Sequence, residues 1–231
     1  MLIFLDVETS GLETKDKICS IAVIGLSNEG TTTIYDLVNE GKKIPSLASS
    51  INHITNEMLK GKPKLHDSEA HKFLLKHNKE LTTIVGHNVK FDLEMLKESG
   101  FNFLGEAVDT LRVTKHLIPE CELFSLQFLR YELKLYKQEE KEFYAHHALG
   151  DAIVVKNLYK TLLDFCTKEE LIDLSFKKVL LTKFEFGKYI GRYIEEISMC
   201  DRGYLEWMLS NIVDLDEDLR YSIEYYLEGT L

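Results

Sequence analysis

The first eight residues narrow what this chain can fold into more than any other stretch. Met1-Leu-Ile-Phe-Leu5 is an unbroken apolar run, which reads as a strand buried on both faces of a sheet. It passes directly into Asp6-Val-Glu8 and meets the turn-forming Thr9-Ser10-Gly11. Side chains alternate across a strand, so residues two apart share a side and the carboxylates of Asp6 and Glu8 face one point. Two such acids repel each other. Water at a solvated strand end relieves the repulsion, and so does a divalent cation, for which oxygen ligands suit Mg2+ or Mn2+.

Downstream patterning sets the rest of the class. Residues 18–26 and 31–38 are β-branched or apolar runs separated by Ser27-Asn-Glu-Gly30, which predicts an antiparallel hairpin. Phe73, Leu74 and Leu75 within a polar frame predict a helix in residues 68–79, followed by a strand over 81–85 that ends at Gly86. Helical spacing then covers residues 91–99 with Gly100 as a stop, and Ala107-Val-Asp109 reads as a short strand. Further helices are expected over 111–117, 125–133 and 148–165. Three strands followed by alternating helices and strands give an α/β fold, a mixed sheet flanked by helices. Residues 1–165 would complete that domain, 166–179 read as a connector or a helix, and 180–231 as a small, aromatic-rich C-terminal appendage.

Composition excludes several classes. With 231 residues, 45% hydrophobic and 29% charged, the chain is neither disordered nor low in complexity. Cys19, Cys121, Cys166 and Cys200 stand far apart, which argues against a disulfide framework or a zinc ribbon. No apolar run nears the roughly 18 residues of a membrane span, and no basic segment precedes the first strand. The expected location is therefore cytoplasmic, with no membrane partner. A net charge of −10 disfavours a broad electrostatic grip on phosphate, yet clustered carboxylates can still meet phosphate through divalent cations.

Two more stretches extend the acidic pair. In Gly86-His-Asn-Val-Lys-Phe-Asp92 a strand ends at Gly86, Asn88 suits a helix cap, and Asp92 falls in the first turns of the helix. Favourable interaction with the helix dipole is the alternative account of Asp92. In Ala145-His-His-Ala-Leu-Gly-Asp151-Ala152 the small Ala148, Gly150 and Ala152 would let the helix approach the sheet, bringing Asp151 toward the first strand. His146 or His147, just before that helix, could take a proton from water beside a metal site. Four separated acids and a histidine ahead of the last one form a constellation rather than a chance motif.

Asp6-Val-Glu8-Thr-Ser-Gly, Gly86-His-Asn-x-x-Phe-Asp92 and His146-x-x-x-x-Asp151 resemble, in order and spacing, the three motifs of the DnaQ-like DEDDh 3′–5′ exonucleases. Ile51-Asn-His-Ile-Thr-Asn-Glu-Met58 and Val108-Asp-Thr-Leu111 are similar to further segments of that family, so the resemblance spans about residues 1–165. It implies a ribonuclease H-like fold in which Asp6, Glu8, Asp92 and Asp151 hold two divalent cations, Mg2+ or Mn2+. It also implies that His146, rather than His147, acts as general base on the attacking water, so that a nucleoside 5′-monophosphate leaves the chain end. By the same resemblance Thr9, Ser10 and Leu12 meet the 3′-terminal nucleotide and Asn88 and Phe91 support the site. Asp109 lies outside the four-acid set and is read as ordering a turn or cap.

The tail carries a second resemblance. Phe186-Gly-Lys-Tyr189-Ile-Gly191, Glu196-Ile197 and Asp201-x-Gly203-Tyr204-Leu-x-Trp207 are similar to a small module of exodeoxyribonuclease X-type enzymes. Lys188 and Arg192 are its candidate nucleic-acid contacts; Tyr189, Tyr204 and Trp207 could stack on bases or form the module's own core, the latter favoured for Trp207. Six acids against one arginine in the last 22 residues would repel phosphate, which leaves a protein partner or a homodimer open for this module. The resemblance tilts the substrate toward DNA, as single-stranded or frayed 3′ ends. An exoribonuclease with the same acids, and a proofreading or scaffold subunit of a DNA polymerase, are the alternatives.

Overall fold

The computed structural model describes residues 1–13, 15–141 and 143–229. Its contacts divide the chain into two compact units, Met1–Val113 with Leu123–Ser175, and Thr114–Glu122 with the chain from Phe176 onward.

The first unit holds a mixed sheet of β1 (Leu2–Thr9), β2 (Ile18–Ser27), β3 (Gly30–Leu37), β4 (Thr83–Gly86) and β5 (Glu106–Asp109), in the order β3-β2-β1-β4-β5. β1, β2 and β3 pair antiparallel; β4 and β5 join parallel to β1. The first strand outlasts its apolar run because β2 stays paired with it through the acids, Asp6 opposite Ala22 and Glu8 opposite Ser20. On its other edge β4 accompanies β1 only from Leu2 to Phe4. The acidic half of β1 therefore has one edge open.

The helices in chain order are α1 (Ser46–Asn52), α2 (Glu69–Lys76), α3 (Val89–Glu98), α4 (Thr110–Leu117), α5 (Leu126–Glu132), α6 (Ala148–Leu162), α7 (Lys168–Phe176), α8 (Ile194–Cys200), α9 (Arg202–Asn211) and α10 (Glu217–Glu228). Ile3, Leu5 and Val7 join Leu74 of α2 and Val89, Met95 and Leu96 of α3 in one buried cluster. From the other face Phe4 meets Tyr159 of α6 edge to face, with centroids 5.6 Å apart. Both faces are covered, as the apolar run requires. Periodicity does not announce α1, whose only buried residue is Asn52, and residues 168–176 form α7, the helix that the segment 166–179 left open beside a connector.

In the second unit Ile194, Ile197, Leu205, Met208, Leu219 and Ile223 pack around Phe184. Part of the acidic tail is structural: Asp216 caps α10, and Asp218 accepts the Val179 N–H at 2.9 Å. No helix among the described residues is long and apolar enough to cross a membrane.

Candidate active site

Asp6 and Glu8 alternate in step with Phe4, so they face α6, while Ile3, Leu5 and Val7 face α2 and α3. Along α6, eight residues separate Asp151 from Tyr159, about 12 Å of helix; along β1, four residues separate Glu8 from Phe4, about 13 Å of strand. The Phe4–Tyr159 contact at one end thus brings Glu8 and Asp151 together at the other. Donor atoms of Glu8, His146 and Asp151 lie within 4.8 Å of one another.

Ala148 and Ala152 are completely buried on α6, in keeping with close packing, but Gly150 has a different reason to be small. A Cβ there would sit 2.4 Å from the Cβ of Phe143, so Gly150 makes room for the segment that carries the histidines rather than for the sheet.

Asp92 arrives by another route. β4 ends at Gly86 and leads into α3, whose first turn carries Asp92. Its Oδ1 accepts the N–H of Val7 at 3.0 Å, taking up a ladder donor on β1 beyond the point where β4 stops. This bond, and not only the helix dipole, accounts for the position of Asp92.

The electrostatics of the cluster follow first from burial, and at Asp6 and Glu8 from crowding as well. Burial, then the charges of Asp92, Asp151 and Glu8, push the Asp6 carboxyl well above the usual range. Burial and the neighbouring Asp151 and Asp92 raise Glu8 to about 8. Burial lifts Asp92 to about 8 against the pull of the Val7 N–H, and Asp151 to about 6 against a hydrogen bond from Gln127. The buried Asp6 Oδ2 has no hydrogen-bond partner. A buried acceptor without a donor, amid carboxylates that resist ionisation, is what a divalent cation would satisfy, so the residues present fit one.

The two histidines separate clearly. His147 caps α6, its Nδ1 accepting the Gly150 N–H at 3.4 Å, and its ring stacks on Tyr35 at 4.7 Å. His146, exposed and in the left-handed region at φ 59°, turns toward Glu8 and Asp151.

Other expected residues divide. Thr9 is buried and its hydroxyl donates to Gly11 O; Ser10 is buried with its Oγ donating to Asp16. Both order the turn after β1. Leu12 is 85% exposed. Asn88 occupies the cap position of α3, but its side chain makes no cap bond; its backbone, at φ 64°, donates to Asp109 Oδ1. Phe91 packs against the core. Asp109 is buried and also accepts the N–H of Leu111, which is an anchoring role. Lys188 is bound to Asp201 and Arg192 to Glu196, so phosphate would have to displace an internal acid at each. Tyr189 and Tyr204 pack on the module core, whereas Trp207 is 51% exposed and stacked on Tyr204. The expectation of a core role for Trp207 is thereby corrected: Leu205 and Met208 take the buried face of α9. Gln127, bonded to Asp151, carries no motif and no telling spacing, and sequence reasoning missed it.

Residues 3–159 match the exonuclease family model, and residues 184–213 match the exodeoxyribonuclease X-like C-terminal model. The chain belongs to the exonuclease family, with the ribonuclease H-like mixed sheet of that class. It is 29% identical over 233 residues to exodeoxyribonuclease 10 of Escherichia coli (strain K12), covering 100% of both chains. It is 28% identical over 177 residues to DNA polymerase III subunit epsilon of Treponema pallidum (strain Nichols), covering 71% of this chain and 77% of that one. Among solved structures, exonuclease X in complex with 5′ overhanging duplex DNA superposes with a TM-score of 0.63 at 26% identity, over 76% of this chain and 99% of that one.

Proposed function

We propose that this protein is a divalent-cation-dependent 3′–5′ exonuclease acting on DNA, at single-stranded or frayed 3′ ends, with release of nucleoside 5′-monophosphates. One observation carries the reading: Glu8, Asp151 and His146 present donor atoms within 4.8 Å at the open end of β1, with Asp92, Asp151 and Glu8 close enough to Asp6 to raise its carboxyl. Asp6, Glu8, Asp92 and Asp151 would hold two cations, Mg2+ or Mn2+, whose charge would stabilise the attacking and leaving oxygens at phosphorus. His146 takes the proton of the attacking water as general base. The Val7 N–H and Gln127 keep Asp92 and Asp151 in place. Leu12 and Asn88, exposed near the acids in sequence, meet the terminal nucleotide; Thr9, Ser10 and Phe91 shape the wall behind it.

Similarity along the whole chain to an exodeoxyribonuclease supports DNA over RNA. Residues 1–165 carry the chemistry in this reading, 166–179 join them to the rest, and 180–231 hold the strand, through exposed Trp207 and through Lys188 and Arg192 once phosphate displaces Asp201 and Glu196. The polymerase subunit among the relatives supports a second reading, a proofreading or scaffold subunit, for which stoichiometric co-purification with a polymerase is the test.

Matched 5′-labelled single-stranded DNA and RNA oligonucleotides, incubated with Mg2+, Mn2+ or chelator, test the first. A cation-dependent ladder shortening from the 3′ end of DNA, absent in Asp151→Ala, is expected. A ladder on RNA alone replaces the substrate, and no ladder on either overturns the assignment.

A further inference from the structure

Behind Asp151, within the same unit, lies a buried ion pair that the chemistry above does not use. Arg130 on α5 reaches Glu139 with two parallel bonds, Nε to Oε1 at 2.8 Å and Nη2 to Oε2 at 2.5 Å. The two side chains are 10% and 6% exposed. Desolvation offsets most of the attraction in such a pair, so it adds little to stability over apolar packing of the same volume.

The remaining donors of Arg130 point to a different use. Nη1 donates to Oε1 of Gln127 at 3.3 Å, and Nε2 of Gln127 donates to Oδ1 of Asp151 at 2.6 Å. A guanidinium only donates and a carboxylate only accepts. One orientation of the Gln127 amide satisfies both neighbours; the flipped one sets NH2 against guanidinium and oxygen against carboxylate. Glu139 thus holds Arg130, Arg130 selects the amide orientation, and the amide holds Oδ1 of Asp151.

We propose that Glu139, Arg130 and Gln127 form a positioning relay that orients Asp151 for divalent-cation binding. The proposal rests on the reading of Asp151 as a cation ligand, and its test is separable from nuclease activity because the primary readout is Mn2+ binding. Outer partners of metal ligands are typically worth 10- to 100-fold in affinity.

Calorimetric titration of the full chain with Mn2+ alone compares wild type, Gln127→Met, and the double variant Arg130→Met with Glu139→Met. The double variant removes both charges at similar volume, which guards against the misfolding that one unpaired buried charge would bring. Expected are a 10- to 100-fold loss of Mn2+ affinity in both variants, melting temperatures without Mn2+ within a few degrees of wild type, and a lowered kcat with KM for the oligonucleotide retained. Wild-type Mn2+ affinity in either folded variant overturns the relay. Wild-type protein that binds Mn2+ but shortens no oligonucleotide would sink the nuclease assignment instead, and the binding comparison would still decide the relay.

Discussion

Replacing Glu8 with glutamine should make the cation-free protein more stable, and by an amount that depends on pH. Oxygens of Glu8 and Asp151 come within 4.8 Å; two full charges at that separation repel by about 3 kcal/mol at an effective dielectric constant of about 20. Among the described residues the Glu8 carboxylate accepts no side-chain or backbone hydrogen bond that the amide would forfeit. With its folded-state pKa raised to about 8, against about 4.3 in an unfolded chain, Glu8 binds its proton more tightly when folded. Its ionisation therefore costs stability progressively as pH rises from about 4.3 to 8, and the cost is complete above that window. At about pH 9, in chelator, Glu8→Gln should gain up to about 3 kcal/mol, which at about 2–4 °C per kcal/mol is a rise of several degrees in Tm. At about pH 5.5, about a third of the way through that window, the gain should fall to about a third, and only below about pH 4.3 should it vanish. Saturating Mg2+ should reverse the order, because the wild type alone keeps its full set of ligands. Thermal melts followed by circular dichroism under these three conditions decide it. A Tm gain equal at both pH values, or a loss at pH 9, would refute the account of mutual repulsion.

Three further outcomes follow. Cation uptake must expel protons from Glu8 and Asp92, both raised to about 8 by burial and their neighbours, so Mg2+ affinity should climb between about pH 6 and 8 and level off above; calorimetry in buffers of different ionisation enthalpy checks the proton release, and a flat profile contradicts it. His146→Ala should lower kcat by about 10²- to 10⁴-fold with little change in Tm, while His147→Ala, which loses the α6 cap and the Tyr35 stack, should lower Tm and affect turnover less; the reverse ranking would move the base to His147. Gly150→Ala should destabilise by about 1–3 kcal/mol despite the better helix propensity of alanine, because its Cβ would collide with Phe143; an unchanged or higher Tm would show that the Phe143 segment yields freely.

The legible part of the site was local. An apolar run ending in Asp6-Val-Glu8 states its strand and its alternation, and Asp92 and Asp151 each stand early in a helix that periodicity reveals. The choice between His146 and His147 was legible only through resemblance, since both precede α6 by almost the same spacing; a cap bond and a ring stack separate them in space. The role of Trp207 was misread because aromatic content does not say which side of α9 is buried.

What the sequence by itself determined is the class of the fold and the elements that carry the candidate acids, because strand alternation, helix period and turn chemistry depend on neighbours a few residues apart. Only the tertiary structure decided how those acids are held. The Val7 N–H finds Asp92 across 85 residues because β4 stops short and leaves that edge of β1 open. Gln127 reaches Asp151 across 24 residues, and Arg130 and Glu139 meet behind it. Hydrogen-bond complementarity between such distant residues leaves no periodic trace along the chain; it exists only once the sheet and α6 bring them within reach.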